Sequence, residues 1–318
     1  MNIGQKKELI FPGGGTPARL DQVVGGMEGL TRSMARRLIE SGQVTVDGIR
    51  QKPSLKLKGG ELVSVTIPPP TPAEPVAETI PLEILYEDGD LVVVNKPAGM
   101  VVHPGAGNTG GTLVNALLGH CSDLSGVGGE IRPGIVHRID KGTSGILVAA
   151  KNDFAHRALS IQFKEHSIKR VYLALVFGSP KGDNGRIESV IGRHPSDRKR
   201  MSGATRHGKE AITLWKVVRR YPGLTLIQLK LKTGRTHQIR VHLSEAGHPI
   251  VGDATYGGKG RLTAIHDLKL HTLIGKLGRQ ALHAKILGFT HPASGEYLEF
   301  ESDLPTDLAQ LIEYLENL

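Results

Sequence analysis

Apolar residues recur at two spacings along this chain. Thr225, Ile227, Leu229 and Leu231 fall at every second position, the period of a strand with one buried face. Short apolar runs at 91–94, 146–150 and 171–177 predict buried strands, and 224–231 and 297–300 complete the strand candidates. Leu308, Leu311, Ile312 and Leu315 share one helical face, so 306–318 reads as a helix, as do 112–118, 153–164 and 236–246. From about residue 80 onward strands outnumber helices and do not alternate with them as βα units. That order favours an α+β domain around a mixed or antiparallel sheet.

The pattern before residue 68 belongs to a smaller module, 17–67. Thr31 can cap a helix in which Met34, Ala35, Leu38 and Ile39 recur, and Gly42 ends it. Val44 and Val46 with Asp47-Gly48 predict a strand and tight turn, and Leu62, Val63, Val65 and Ile67 a last strand. Residues 1–16 show no periodicity and read as a mobile arm. The run from Pro68 to Pro75 holds five prolines, which favour an extended tether. A linker over 68–80 therefore separates the module from a larger domain, 81–318.

Composition narrows the function. No apolar run approaches the ~18 residues of a membrane-spanning helix, and the lysines near the N-terminus are not followed by the apolar core of a secretory signal. A single cysteine, Cys121, rules out an intramolecular disulfide, argues against a structural zinc site and fits a reducing cytoplasm. The net charge of +9 points to a polyanion partner such as nucleic acid. Aromatic residues make up only 4%, so charge and shape must dominate over base stacking, as with structured RNA.

The candidate chemistry lies in two segments. The first is His137-Arg138-Ile139-Asp140-Lys141-Gly142-Thr143-Ser144-Gly145. In isolation it reads as a surface turn, but it leads straight into the apolar run 146–150, and loops delivered onto a buried strand often hold catalytic groups. The second is Thr233-Gly234-Arg235-Thr236-His237-Gln238-Ile239-Arg240-Val241-His242. Gly234 permits a sharp turn and Thr236 can cap the next helix, which puts Arg235 at a strand-to-helix corner within reach of a carboxylate; a phosphate-contacting or surface arginine is the alternative. Tyr172, taken alone, is a half-buried strand tyrosine. Gly105-Ala106-Gly107-Asn108-Thr109-Gly110 matches G-x-G-x-x-G formally, yet no βαβ unit follows, so a loop is the better reading. The basic run 193–200 fits a solvated loop and an RNA contact equally.

The string from His137 to Gly145 resembles the active-site signature of the pseudouridine synthases of the large-ribosomal-RNA type, the RluD-like branch in particular. It departs from the usual pattern at Ile139, where Leu is common, and at Gly142, where a polar residue is common. Over 17–67 the chain also resembles the S4 RNA-binding domain, at Arg19-Leu20-Asp21, Thr31-Arg32-Ser33, Ala35-Arg36, Leu38-Ile39, Gly42, Val44, Val46, Asp47-Gly48, Lys52-Pro53 and Gly59.

These resemblances imply an α+β pseudouridine synthase fold with a mixed, mostly antiparallel central sheet and a catalytic cleft, preceded by an S4-like module. They imply isomerisation of uridine to pseudouridine in 23S ribosomal RNA or a large-subunit precursor, by a cytoplasmic, membrane-free monomer. Asp140 is then the catalytic aspartate, Arg235 its basic partner and Tyr172 the residue that packs on the target base. Arg138 fills the space the base vacates, while Arg32, Arg36, Arg37 and Lys52 contact RNA unless they form a solvated basic face. Atoms balance in the isomerisation, so neither cofactor nor metal is expected. The rival classes are a non-catalytic RNA-binding or ribosome-assembly factor and a synthase acting on transfer RNA. A hydrolytic glycosidase usually needs two carboxylates, and only Asp140 is well placed.

Overall fold

The computed structural model describes residues 5–12, 16–27, 30–67, 75–105, 108–121, 124, 133–197, 200–205, 207–257 and 261–318. They fall into two compact units, Met1–Pro72 and Ala73–Leu318. Most of the proline-rich run, part of the G-x-G-x-x-G match and two residues of the basic run lie outside the described residues.

In the first unit β1 (Gln5–Ile10), β2 (Ala18–Arg19), α1 (Leu20–Gly25), α2 (Arg32–Glu40), β3 (Val44–Val46), β4 (Ile49–Arg50), β5 (Lys56–Leu57) and β6 (Leu62–Ile67) follow in order. The larger of its sheets runs β1-β6-β3-β4. The reading of residues 1–16 as an arm is corrected here: Gln5–Ile10 pairs antiparallel with the whole of β6, whose backbone groups complete the ladder whatever the side-chain period of β1. The Thr31 hydroxyl accepts the Met34 N–H at 3.3 Å and caps α2. Asp47 and Gly48 both have positive φ, as a two-residue hairpin between β3 and β4 demands. Leu20, Val24, Ala35, Leu38, Val44, Val63 and Val65 form the core of this unit.

The second unit is built on one ten-stranded sheet. Its strands are β7 (Glu83–Glu87), β8 (Leu91–Lys96), β9 (Ser144–Ala150), β10 (Lys169–Phe177), β11 (Asn184–Arg193), β12 (Met201–Ser202), β13 (Gly208–Tyr221), β14 (Leu224–Leu231), β15 (Leu282–Thr290) and β16 (Tyr297–Glu301). Their order is β12-β11-β13-β14-β10-β15-β9-β8-β7, with β16 on β15. The described pairings are antiparallel except β9 with β15. The α-helices that lie wholly within the described residues are α3 (Leu113–His120), α4 (Asp153–Glu165), α5 (Gln238–Glu245), α6 (Leu268–Leu277) and α7 (Thr306–Glu316).

Every residue of β9 is buried, which explains its unbroken apolar run. Leu147 and Ala149 face one core with Val92, Val94, Leu113, Leu117, Leu308 and Leu311. Ile146, Val148 and Ala150 face the other, with Leu91, Val93, Ala155 and Leu159. At about 1.5–3 kcal/mol for each buried aliphatic side chain, this layering makes β8 and β9 a stiff base for the loop that precedes β9. No helix among the described residues is long and apolar enough to cross a membrane.

Candidate active site

The loop ahead of β9 is held at both ends. At its start His137 turns inward: its Nε2 accepts the Val148 N–H at 3.1 Å, and its ring stacks on Phe163 at 4.4 Å. Burial pushes the His137 pKa down to about 3, with the nearby Arg170 charge adding to the shift, so the ring is a neutral acceptor. Ile139 is buried next, which leaves Arg138 exposed between two inward side chains. Asp140 then opens a turn whose carbonyl accepts the Thr143 N–H at 3.0 Å. The Lys141 carbonyl accepts the Gly99 N–H at 2.8 Å, tying this loop to the one after β8. Gly145 closes the loop at φ 115°, where a Cβ would collide with the Ala284 carbonyl across the parallel junction.

Asp140 meets an arginine, but not the expected one. Arg240, in α5, donates from Nη1 to Asp140 Oδ2 at 3.0 Å. Its other edge is clamped by Asp253, from Nε at 2.7 Å and Nη2 at 3.0 Å. The pairing expected of Arg235 is corrected accordingly: its Nε donates to the Glu210 carbonyl of β13 at 2.9 Å. Gln238 is the physical reason. Its side-chain oxygen accepts the Arg235 N–H and the Thr233 hydroxyl, and its amide nitrogen donates to Ile212 and Thr213. This buried amide folds the corner against β13 and carries Arg235 with it.

Thr236 is not the helix cap, because α5 begins at Gln238 after His237 in the left-handed region. Gly234 does not have positive φ; a Cβ there would lie 2.7 Å from Arg170 Nη1, so the glycine leaves room for that guanidinium.

Burial alone would pull the Arg240 pKa down, but hydrogen bonds and charge from Asp253 and Asp140 outweigh it and hold the guanidinium above its ordinary value. Asp253 is buried and also accepts the Thr255 and Tyr256 N–H groups, so the Gly252-Asp253-Ala254-Thr255-Tyr256 segment forms a rigid backing. The Tyr256 ring lies 4.9 Å beneath the Arg240 guanidinium, and its hydroxyl pairs with His237 Nδ1 at 2.8 Å. His237 Nε2 is 3.9 Å from Asp140 Oδ1. Arg240, Asp253 and His237 were given no individual role by sequence reasoning, although Arg240 and His237 lie in the 233–242 segment and Asp253 in the 252–257 segment that the family resemblance places behind the site.

A cavity of about 420 Å³ opens beside Asp140, lined among others by Arg138, Tyr172, Arg235, His237 and Arg240. Four of the expected residues, Arg138, Asp140, Tyr172 and Arg235, therefore line one space. Tyr172 is buried on β10, and desolvation raises its pKa to about 12, keeping the hydroxyl neutral. A second cavity, about 650 Å³, shares Arg138, Asp140, His237 and Arg240 with the first and extends past Gly99 and Arg279. Beneath the loop Lys96 is fully buried, donating to the Pro97 and Met100 carbonyls; burial lowers its pKa to about 7.

The expected RNA contacts of the first unit divide. Arg32 is turned onto Asp21, which Arg19 also reaches, and Arg36 pairs with Glu40 at 2.8 Å. Arg37 and Lys52 are exposed, and Lys52 lines a groove with Arg50. Among the described residues two groups of metal-ligand type lie away from the cleft, Glu87-His120-Cys121 and Asp88-Asp90-His291. Protein donors already engage their carboxylates: Lys151 and His120 reach Glu87, while His291 and two backbone N–H groups reach Asp88.

This geometry has relatives. Residues 90–245 match the RNA pseudouridylate synthase family, and residues 19–63 match the S4 domain. The uncharacterized RNA pseudouridine synthase YlyB of Bacillus subtilis is 46% identical over 93% of this chain and 94% of its own. The ribosomal large subunit pseudouridine synthase D of Zymomonas mobilis is 45% identical over 93% of each. Among solved structures, human RNA pseudouridylate synthase domain containing 4 superposes with a TM-score of 0.57 at 26% identity, covering 74% of this chain and 93% of that one. The chain thus belongs to the RNA pseudouridine synthase family, with an S4 domain at its N-terminal side.

Proposed function

We propose that this synthase isomerises specific uridines of 23S ribosomal RNA or its large-subunit precursor, with Asp140 as the essential carboxylate. The observation that carries the catalytic part is the Arg240 bridge, which fixes Asp140 at the edge of a cavity walled by Tyr172. The choice of RNA is supported by relatives named for large-subunit ribosomal RNA in Zymomonas mobilis and, at 42% identity, Vibrio vulnificus.

The N1–C1′ bond of the target uridine breaks, the uracil turns within the cavity, and C5 bonds to C1′. C5 then loses its proton and N1 gains one, so atoms balance without an outside reactant. A carboxylate can add covalently or accept the proton only as the anion, and the Arg240 hydrogen bond holds the Asp140 carboxylate in place for that role. Tyr172 supplies a flat apolar wall for the base. Flipping the nucleotide out of its stack costs a few kcal/mol. Arg138 fills the vacated space in this reading, which is supported by its exposed position on the rim shared by both cavities. The S4 domain supplies charge-based contacts through Arg37 and Lys52, whereas Arg32 and Arg36 are partly neutralised by their carboxylate partners. Tritium release from RNA carrying 5-³H-uridine, with sites mapped on unmodified ribosomal RNA, tests the reading. Release from transfer RNA alone would overturn the choice of substrate.

A further inference from the structure

We propose that the wall of the Asp140 cavity formed by Arg170, Arg235 and Lys164 is a phosphodiester subsite, in which Arg170 takes a phosphate of the nucleotide packed on Tyr172. The inference rests on the reading that this cavity receives a nucleotide, and it adds the group that holds that nucleotide's backbone.

Arg170 lies two residues before Tyr172 on β10, so the two side chains share a face and line the same cavity. Arg170 is only 7% exposed, yet its Nε and Nη2 have no hydrogen-bond partner. Its guanidinium is held 5.7 Å over the Phe163 ring and against Gly234, where any side chain would displace it. The cavity lining contains five arginine or lysine side chains, Arg138, Lys164, Arg170, Arg235 and Arg240, and one carboxylate, Asp140, already bound to Arg240. Both nitrogens are sealed from solvent in the free protein, so a phosphate pairs with them as the guanidinium turns toward the cavity, and until then the buried, unpaired donors cost stability. Two adjacent donors on a planar fork suit a phosphate, and neighbouring cations strengthen that preference over a neutral uracil carbonyl.

The arrangement predicts a trade of stability for binding. The free full-length Arg170→Met variant should melt at a higher temperature than the native protein, because the unpaired buried charge is gone. Titrations followed by NMR would compare uridine, 3′-UMP, 5′-UMP and inorganic phosphate as probes. Native protein should bind at least one UMP about tenfold more tightly than uridine, the order expected of charge-assisted hydrogen bonds. Arg170→Met should bind uridine and both UMPs alike, and Arg170→Lys should recover part of the difference. A UMP advantage that survives Arg170→Met, no advantage in the native protein, or a lower melting temperature for both free variants would each overturn the subsite. These readouts need no turnover. Absence of isomerase activity on every RNA would instead count against the proposed function, leaving the binding result to stand or fall alone.

Discussion

Arg240 donates to Asp140 from one edge of its guanidinium while Asp253 holds the other edge, so the Asp140 carboxylate is positioned by a residue a hundred places away in sequence. Removing the guanidinium leaves the buried Asp253 charge unpaired and Asp140 unsupported. Arg240→Met is expected to lower the single-turnover rate by about 100-fold or more and to destabilise the protein by about 3–5 kcal/mol. Arg235→Met, which breaks a hydrogen bond to a backbone carbonyl, should act mainly on KM and by about tenfold or less. Equal losses in rate for the two variants would contradict this division of roles.

The parallel junction between β9 and β15 depends on Gly145, which combines positive φ with contact against Ala284. Gly145→Ala is expected to destabilise the larger unit by about 3 kcal/mol in urea titrations. Gly89→Ala, with open space around its Cα, is the control and should change little.

His283 is buried between the Ser144 and Ser302 hydroxyls, and burial lowers its pKa to about 4. A histidine depressed in this way binds its proton more readily in the unfolded chain. Stability therefore falls as pH drops below the unfolded value of about 6.5, and continues to fall to about 4. His137 acts in the same direction down to about 3. Denaturation midpoints between pH 7 and 4 should show His283→Gln losing up to ~3 kcal/mol less than the native protein across that window. A parallel pH dependence in the two proteins would contradict the assignment.

The sequence made the centre of the fold more legible than its edges. Apolar runs at β8, β9 and β10 stand out because these strands are buried on both faces. Outer strands such as β11, with Arg186 and Glu188 at exposed positions, carry too little apolar period to be found that way. β1 was read as an arm because its register comes from β6 and not from its own pattern. Asp140 and Tyr172 were legible from their motifs and line one cavity. The partner arginine was not, because the Gln238 side chain decides which way the strand-to-helix corner faces. Arg170 could not be singled out in the sequence, since burial without a hydrogen-bond partner is a property of the fold.

Asp140→Ala is the direct test of the central claim, assayed by tritium release from 5-³H-uridine RNA beside the native protein under single-turnover conditions. The account predicts that native protein releases tritium, that the variant falls by at least about 10³-fold, and that RNA binding and folding are retained. Substantial release by a folded Asp140→Ala protein at saturating enzyme would contradict it and move the chemistry away from this carboxylate.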